Sequence, residues 1–197
     1  MEKHIYPVTI LSRAEREAKL RQRSRVIWFT GLSGAGKSTL GLLLEKTLFE
    51  RGFVVQLFDG DNIRSGINKD LGFTLDDRRE NLRRVAEINR LFLNSGIITI
   101  NCFIAPTIEL RSMIAQIIGP DDLIEVFTDC PLEVCEQRDT KGLYKAAREG
   151  KISHFTGISS PFEPPLNPRL HLHTDLLSPE VCLEKILDVV LPLITFQ

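Results

Sequence analysis

Eight residues constrain this chain more than any others: Gly31-Leu32-Ser33-Gly34-Ala35-Gly36-Lys37-Ser38 fits the phosphate-loop pattern G-x-x-x-x-G-K-S. Its glycines let backbone N–H groups turn inward around an anion, at dihedral angles a Cβ would resist. The run before it, Val26-Ile27-Trp28-Phe29, is apolar without a break, as in a strand covered on both faces. After it, Leu40, Leu43, Leu44, Thr47 and Leu48 recur at three-and-four spacing and predict a helix over 37–50, which Gly52 ends. Strand, glycine loop and helix are the context the motif requires, and the helix start adds its positive dipole end. Gly31, Leu32, Ser33, Gly34, Ala35, Gly36, Lys37, Ser38 and Thr39 are therefore the candidate nucleotide-binding residues. Within them Lys37 places a charge on the β- and γ-phosphates, and Ser38 offers a hydroxyl to Mg2+. The loop does not say what accepts the phosphate.

Beyond the loop the chain keeps alternating. Strands are predicted over 54–58, 97–104, 123–128 and 170–174, and helices over 76–94, 108–118, 132–138 and 179–190. Such alternation implies parallel crossovers and a sheet covered on both faces, the three-layer α/β class. Two stretches depart from it. Residues 12–23 form a polar helix opened by a Ser12/Glu15 capping box, so 1–24 reads as a helical appendage to a domain over 25–197. Residues 139–169 carry Lys141, Lys145, Arg148 and Lys151, then Pro161, Pro164, Pro165 and Pro168. A basic stretch feeding a Pro-rich one, late in an α/β domain, reads as a lid.

Composition narrows the partners. The 197 residues suit one domain, and 25 Lys plus Arg against 26 Asp plus Glu leave a net charge of -1. That balance excludes the strongly basic footprint of a dedicated nucleic-acid binder. No stretch is apolar and long enough to span a membrane or act as a signal peptide. Cys102, Cys130, Cys135 and Cys182 show no C-x-x-C spacing, and the four histidines supply no zinc set. Cys102 sits in an apolar run and reads as a buried thiol, which points to a reducing compartment, the cytoplasm.

Two further clusters carry chemistry. Asp59-Gly60-Asp61 falls at the carboxyl end of the second strand, the edge that faces the ligand crevice in a parallel sheet. Acids there can hold metal-bound water or take a proton from an acceptor hydroxyl, though the same residues also form plain turns with Asn62 capping the next segment. Arg64, Phe73, Arg78, Arg79, Glu80 and Asn81 follow. Guanidiniums beside an aromatic ring suit a nucleotide-like anion, whereas Asp76, Asp77 and Glu80 at helical spacing would equally make a solvated helix start. Spacing alone leaves both readings open.

Longer stretches resemble the adenylylsulfate kinases (APS kinases), members of the P-loop kinase superfamily. The resemblance rests on the run from Phe29 to Thr39, on Asp59-Gly60-Asp61-Asn62-Ile63-Arg64, on Asn68-Lys69-Asp70-Leu71-Gly72-Phe73 and on Asp77-Arg78-Arg79-Glu80-Asn81. Pro131-Leu132-Glu133-Val134-Cys135-Glu136, Lys141-Gly142-Leu143-Tyr144, Phe155-Thr156-Gly157-Ile158 and Ser160-Pro161-Phe162-Glu163 continue it over nearly the whole chain. The resemblance implies a P-loop kinase fold, usually dimeric, that moves the γ-phosphoryl of ATP, with Mg2+, to the 3′-hydroxyl of adenosine 5′-phosphosulfate. It implies that Asp61, Asn62, Arg64, Phe73, Arg78, Asn81, Ile104, Ala105, Lys141, Leu143 and Phe155 contact the acceptor, Phe155 completing an aromatic sandwich with Phe73. Lys37, Asp61 and Lys141 would be the catalytic set, with Ser38 and Asp61 on the metal side. The rival expectations are another small-metabolite P-loop kinase, and a catalytically silent nucleotide-binding subunit.

One departure stands out. Family members usually read Phe-Ile-Ser-Pro-Tyr where this chain has Phe103-Ile104-Ala105-Pro106-Thr107. Ala105 has no hydroxyl, so a covalent phosphoenzyme at this position is closed, while direct transfer needs only positioning and charge neutralisation. Arg111 still aligns with a family arginine.

Overall fold

The computed structural model describes Val8 and residues 10–196. In chain order the elements are α1 (Arg13–Leu20), β1 (Val26–Thr30), α2 (Lys37–Glu50), β2 (Val55–Asp59), α3 (Gly60–Ser65), α4 (Leu75–Asn94), β3 (Ile98–Cys102), α5 (Ile108–Ile118), β4 (Leu123–Asp129), α6 (Leu132–Arg138), α7 (Leu143–Arg148), β5 (Leu170–His173) and α8 (Pro179–Ile194). The five strands pair in parallel in the order β2-β3-β1-β4-β5. Strands β1 and β3 are buried at every residue, which is why they read as unbroken apolar or small-polar runs.

Side-chain alternation along β1 sorts the core into two layers. Ile27 and Phe29 pack with α2 and α8 through Leu40, Leu44, Leu48, Ile186 and Val190. Val26 and Trp28 face α4 and α5 through Leu82, Val85, Leu110 and Ile114. This is the three-layer α/β architecture expected. Its close helix–sheet approach is set at Gly41, where an added Cβ would lie 2.5 Å from the Cys102 sulfur. On the other face a buried polar knot fixes α4 against β3: Asn89 donates to Asn101 at 2.7 Å, and Asn101 and Thr99 donate back to the Asn89 oxygen at 2.8 and 2.5 Å.

Helix α1 is tied to the amino ends of the strands. Arg13 donates to both oxygens of Asp122 at 2.6 and 2.9 Å, and the capping box at Ser12 and Glu15 forms. The chain after it carries Gln22, fully buried, whose amide bonds Val54 and Gly96 main-chain groups at 2.8 to 3.0 Å.

Several boundaries differ from the sequence expectation, each for a local reason. Asp59-Gly60-Asp61 opens a short helix, α3, because the Asp59 carboxylate accepts from the Asp61 N–H at 3.0 Å and caps it. Helix α7 lies inside the basic stretch expected as lid. Asp139 accepts from the N–H groups of Tyr144 and Lys145, and Tyr144 and Ala147, three apart, turn into a small core with Phe155. Helix α4 begins one residue early, where Thr74 and Asp77 form a capping box. Strand β3 stops at Cys102, since Ala105 takes a left-handed φ of +43° that no strand continues through. Helix α8 runs past Val190 to Ile194 and holds Pro192 in its last turns.

Candidate active site

The phosphate loop joins the carboxyl end of β1 to α2, as its sequence demands. Gly31 is obligatory by contact: a Cβ there would sit 2.3 Å from the Thr128 hydroxyl and 2.4 Å from its carbonyl. Gly36 begins α2 at a left-handed φ of +88°. Five successive carbonyls of the loop are held, the first two by Lys37 of the loop itself and the other three from outside. Lys37 Nζ donates to Gly31 and Leu32 at 2.9 and 2.7 Å, and the Tyr144 phenol to Ser33 at 2.9 Å. Arg138 donates to Gly34 at 3.2 Å and Thr174 to Ala35 at 3.0 Å. Carbonyls turned to such partners are the complement of an amide-lined anion cradle. Burial pushes the Lys37 ammonium down to about 8, against the pull of the Asp59 carboxylate. The same burial drives the Cys102 thiol up to about 12, so it stays protonated beside the loop.

The two acids after β2 take different partners. Ser38 donates to Asp59 Oδ2 at 2.7 Å, joining the first turn of α2 to the end of β2. Asp61, exposed on α3, pairs instead with Lys141, which lies between α6 and α7. That hydrogen bond raises the Lys141 pKa. The structure thus sets Asp59, and not Asp61, against the Ser38 hydroxyl, because the strand ends at Asp59 and the helix turns Asp61 away.

The arginine and aromatic cluster gathers around the start of α4. The Arg64 guanidinium lies over the Phe73 ring, 4.4 Å from its centroid, and donates to the Gly72 carbonyl at 2.7 Å. Arg78 forks in three directions: to the Phe73 carbonyl at 3.0 Å, the Thr156 hydroxyl at 2.9 Å and the His154 carbonyl at 2.6 Å. It therefore ties the Phe73 loop to the segment bearing Phe155. Burial, and then the charge of Arg64, lower the Arg78 pKa, so two half-buried cations face one another. Phe73 is exposed, whereas Phe155 is buried edge-on against Tyr144 at 5.0 Å. Arg79 and Glu80 pair outward, with Glu109 and with Arg83 and Arg84.

Other expected acceptor residues sit as follows. Asn62 is exposed on α3, and Leu143 is half-buried at the start of α7. Asn81 is buried and accepts from Asn68 at 3.0 Å, an internal contact between α4 and the loop after α3. Ile104 is half-buried and Ala105 fully so. The Ala105 carbonyl accepts from Arg111 at 2.8 Å, which holds the left-handed turn, and Thr107 caps α5 by accepting from the Leu110 N–H at 3.3 Å. Glu163 closes over this turn, accepting from the Ile108 N–H at 2.7 Å and donating its own N–H to Pro106 at 2.8 Å.

Tyr144, Arg138, Thr174 and Thr156 support the site without having been singled out as site residues. Tyr144 and Thr156 lie inside stretches that carry the family resemblance. Nothing local marks Arg138 or Thr174, since their loop contacts join positions 104 and 139 residues apart.

The family model for adenylylsulphate kinase matches residues 23–173. An adenylyl-sulfate kinase of Bacteroides thetaiotaomicron is 55% identical over 191 residues, covering 96% of this chain and 95% of the relative. The structure of a Mycobacterium tuberculosis APS kinase in complex with AMPPNP and APS superposes with a TM-score of 0.82 at 44% identity, covering 85% of this chain and 98% of that one. A hexameric APS kinase from Thiobacillus denitrificans gives a TM-score of 0.67 at 26% identity, covering 91% of this chain and 31% of that one.

Proposed function

The chain belongs to the adenylylsulphate kinase family, and from that premise we propose which of its residues carry the family reaction. The enzyme transfers the γ-phosphoryl of ATP to adenosine 5′-phosphosulfate, giving PAPS and ADP. The observation that carries the residue assignment is the Ser38–Asp59 contact. It joins the phosphate loop to the strand end from which α3 continues, and α3 bears Asp61 and Arg64 one turn apart.

The nucleotide phosphates lie in the loop 31–39, where Lys37 neutralises the charge of the transferring group. Adenylylsulfate lies against α3 and the start of α4, its adenine between Phe73 and Phe155. The Arg78 bridge supports this, because one guanidinium holds the loops bearing both rings. Arg64 and Arg78, two cations that repel each other, gain from an anion placed between them. Asp61 accepts the proton of the 3′-hydroxyl, and Lys141 orients that carboxylate and adds positive charge. Transfer is direct, with no phosphorylated residue at position 105.

Ser38 and Asp59 fit Mg2+: a hydroxyl and a carboxylate are hard oxygen donors, 2.7 Å apart and exposed, as suits an ion that keeps several waters. When bound, Mg2+ supplies charge neutralisation on the phosphates. Residues 139–169 act as the lid, since Lys141, Tyr144 and Thr156 all reach the site from this stretch. Self-association, as a homodimer, is part of this reading; the hexameric Thiobacillus enzyme shows that a relative self-assembles. A cytoplasmic location is supported by four free, buried cysteines. Among the described residues no helix is long and apolar enough to cross a membrane.

Turnover of ATP with adenylylsulfate, against a panel of sugar, nucleoside and other nucleotide acceptors, tests the assignment. Adenylylsulfate should be preferred by orders of magnitude in kcat/KM. Equal or better turnover of another acceptor would overturn it.

A further inference from the structure

The edge of the sheet opposite β2 gathers a set of side chains that phosphoryl transfer does not use. Strands β4 and β5 pair in a register that sets Phe127 beside His171 and Asp129 beside His173. Alternation sends all four side chains to one face, while Leu172 between the histidines is fully buried toward the other. His171 Nε2 lies 2.8 Å from Asp129 Oδ2, and His173 Nδ1 lies 3.5 Å from the same oxygen. The two imidazoles are 4.6 Å apart between centroids, and one donor atom from each of the three residues lies within 4.8 Å of the others.

We propose that Asp129, His171 and His173 form a binding site for a divalent ion of the zinc class. Two imidazole nitrogens and one carboxylate are the donor set such ions prefer over Mg2+. A hydrogen-bonded His–Asp pair would need only one ring; here the second ring turns its nitrogen to the same oxygen. The site is held open in this shape by its neighbours. Phe127 packs on His171 at 4.9 Å and is itself stacked on Phe162, while the Asp129 carbonyl accepts from the N–H and hydroxyl of Thr174 at 2.8 and 3.1 Å. Both histidines keep about half of their side-chain surface exposed, so an ion enters from solvent and completes its coordination with water. Histidine spacing alone does not announce the set, because its carboxylate arrives from β4, 42 residues before His171.

The test uses the full chain, free of any affinity tag, in millimolar Mg2+. Titration with Co2+, followed by visible absorption, and competition by Zn2+ should show one ion per chain bound outside the Mg2+ sites. His171→Ala and His173→Ala should each weaken Co2+ and Zn2+ by roughly tenfold or more. Asp59→Asn, at the other sheet edge, should leave that affinity in place. Asp129→Asn keeps the side-chain shape and should also weaken the ion; if it fails to fold, the two exposed histidine variants carry the test. Absence of a bound ion, or an affinity unmoved by both histidine variants, would overturn the proposal.

Discussion

The phenol of Tyr144 donates to the main-chain oxygen of Ser33 across 2.9 Å, so a helix of the basic stretch props the phosphate loop from outside. With Lys37, Arg138 and Thr174 it completes the set of partners that turns the loop's carbonyls outward. Tyr144→Phe removes one such bond, worth about 1 kcal/mol net. KM for ATP should rise about fivefold while KM for adenylylsulfate changes little. Steady-state kinetics with each substrate varied would check this, and an unchanged ATP KM would show that the loop holds its shape without Tyr144.

Lys37 costs the fold stability that its function requires. Its ammonium titrates near 8 in the folded chain against 10.5 for an ordinary lysine, through burial. Below pH 8 the group is protonated in both folded and unfolded states, and the full cost is present. Between 8 and 10.5 the unfolded chain binds more protons, so this contribution to stability rises with pH. Because part of the side chain still meets water, the cost at pH 7 is on the order of 1–2 kcal/mol. Lys37→Met should therefore lose the rise in urea stability that the parent shows between pH 8 and 10.5, and should lose most activity, on the order of 10²-fold or more. A variant whose stability rises across that pH range as steeply as the parent's would contradict the sign.

Arg78 holds three acceptors on two segments, and no ammonium can reproduce that fork. Arg78→Ala should weaken adenylylsulfate by about tenfold or more, with ATP binding little affected, and Arg78→Lys should not restore it. Calorimetric titration with each ligand separates the two. A fall in ATP affinity of equal size would place the acceptor site elsewhere.

Ala105 stands where the resemblance to the adenylylsulfate kinases leads one to expect serine. Ala105→Ser should keep kcat within about tenfold, equivalent to about 1.4 kcal/mol of barrier, because donor and acceptor already share one crevice. The new hydroxyl is fully buried in a left-handed turn and should cost about 1 kcal/mol of stability if it finds no partner. Neither the parent nor the variant should accumulate phosphoenzyme with ATP alone, which intact-mass spectrometry reads directly.

Much of this molecule was legible in the chain. The loop 31–38 and the apolar run before it set strand, turn and helix together, because only that order lets amides close on an anion beside a helix start. The four-residue spacing of Leu40, Leu44 and Leu48 marked the face that packs on Ile27 and Phe29. Helices α3 and α7 were not legible, since six-residue helices have too few turns for periodicity and depend on caps from Asp59 and Asp139. The contact of Asn81 with Asn68 was likewise hidden, since the sequence neighbours of Asn81 are arginines and acids and Asn68 comes from the preceding loop.

By itself the sequence determined the backbone plan and the chemistry available, because loop glycines, periodic apolar positions and strand ends act over a few neighbouring residues. Which acid meets Ser38, which guanidinium joins Phe73 to Phe155, and which carboxylate stands between His171 and His173 were decided only by tertiary structure. Those pairings cross 21, 78 and 42 residues of chain. A hydrogen bond forms over about 3 Å, and the placement of its two ends is the sum of every element packed between them.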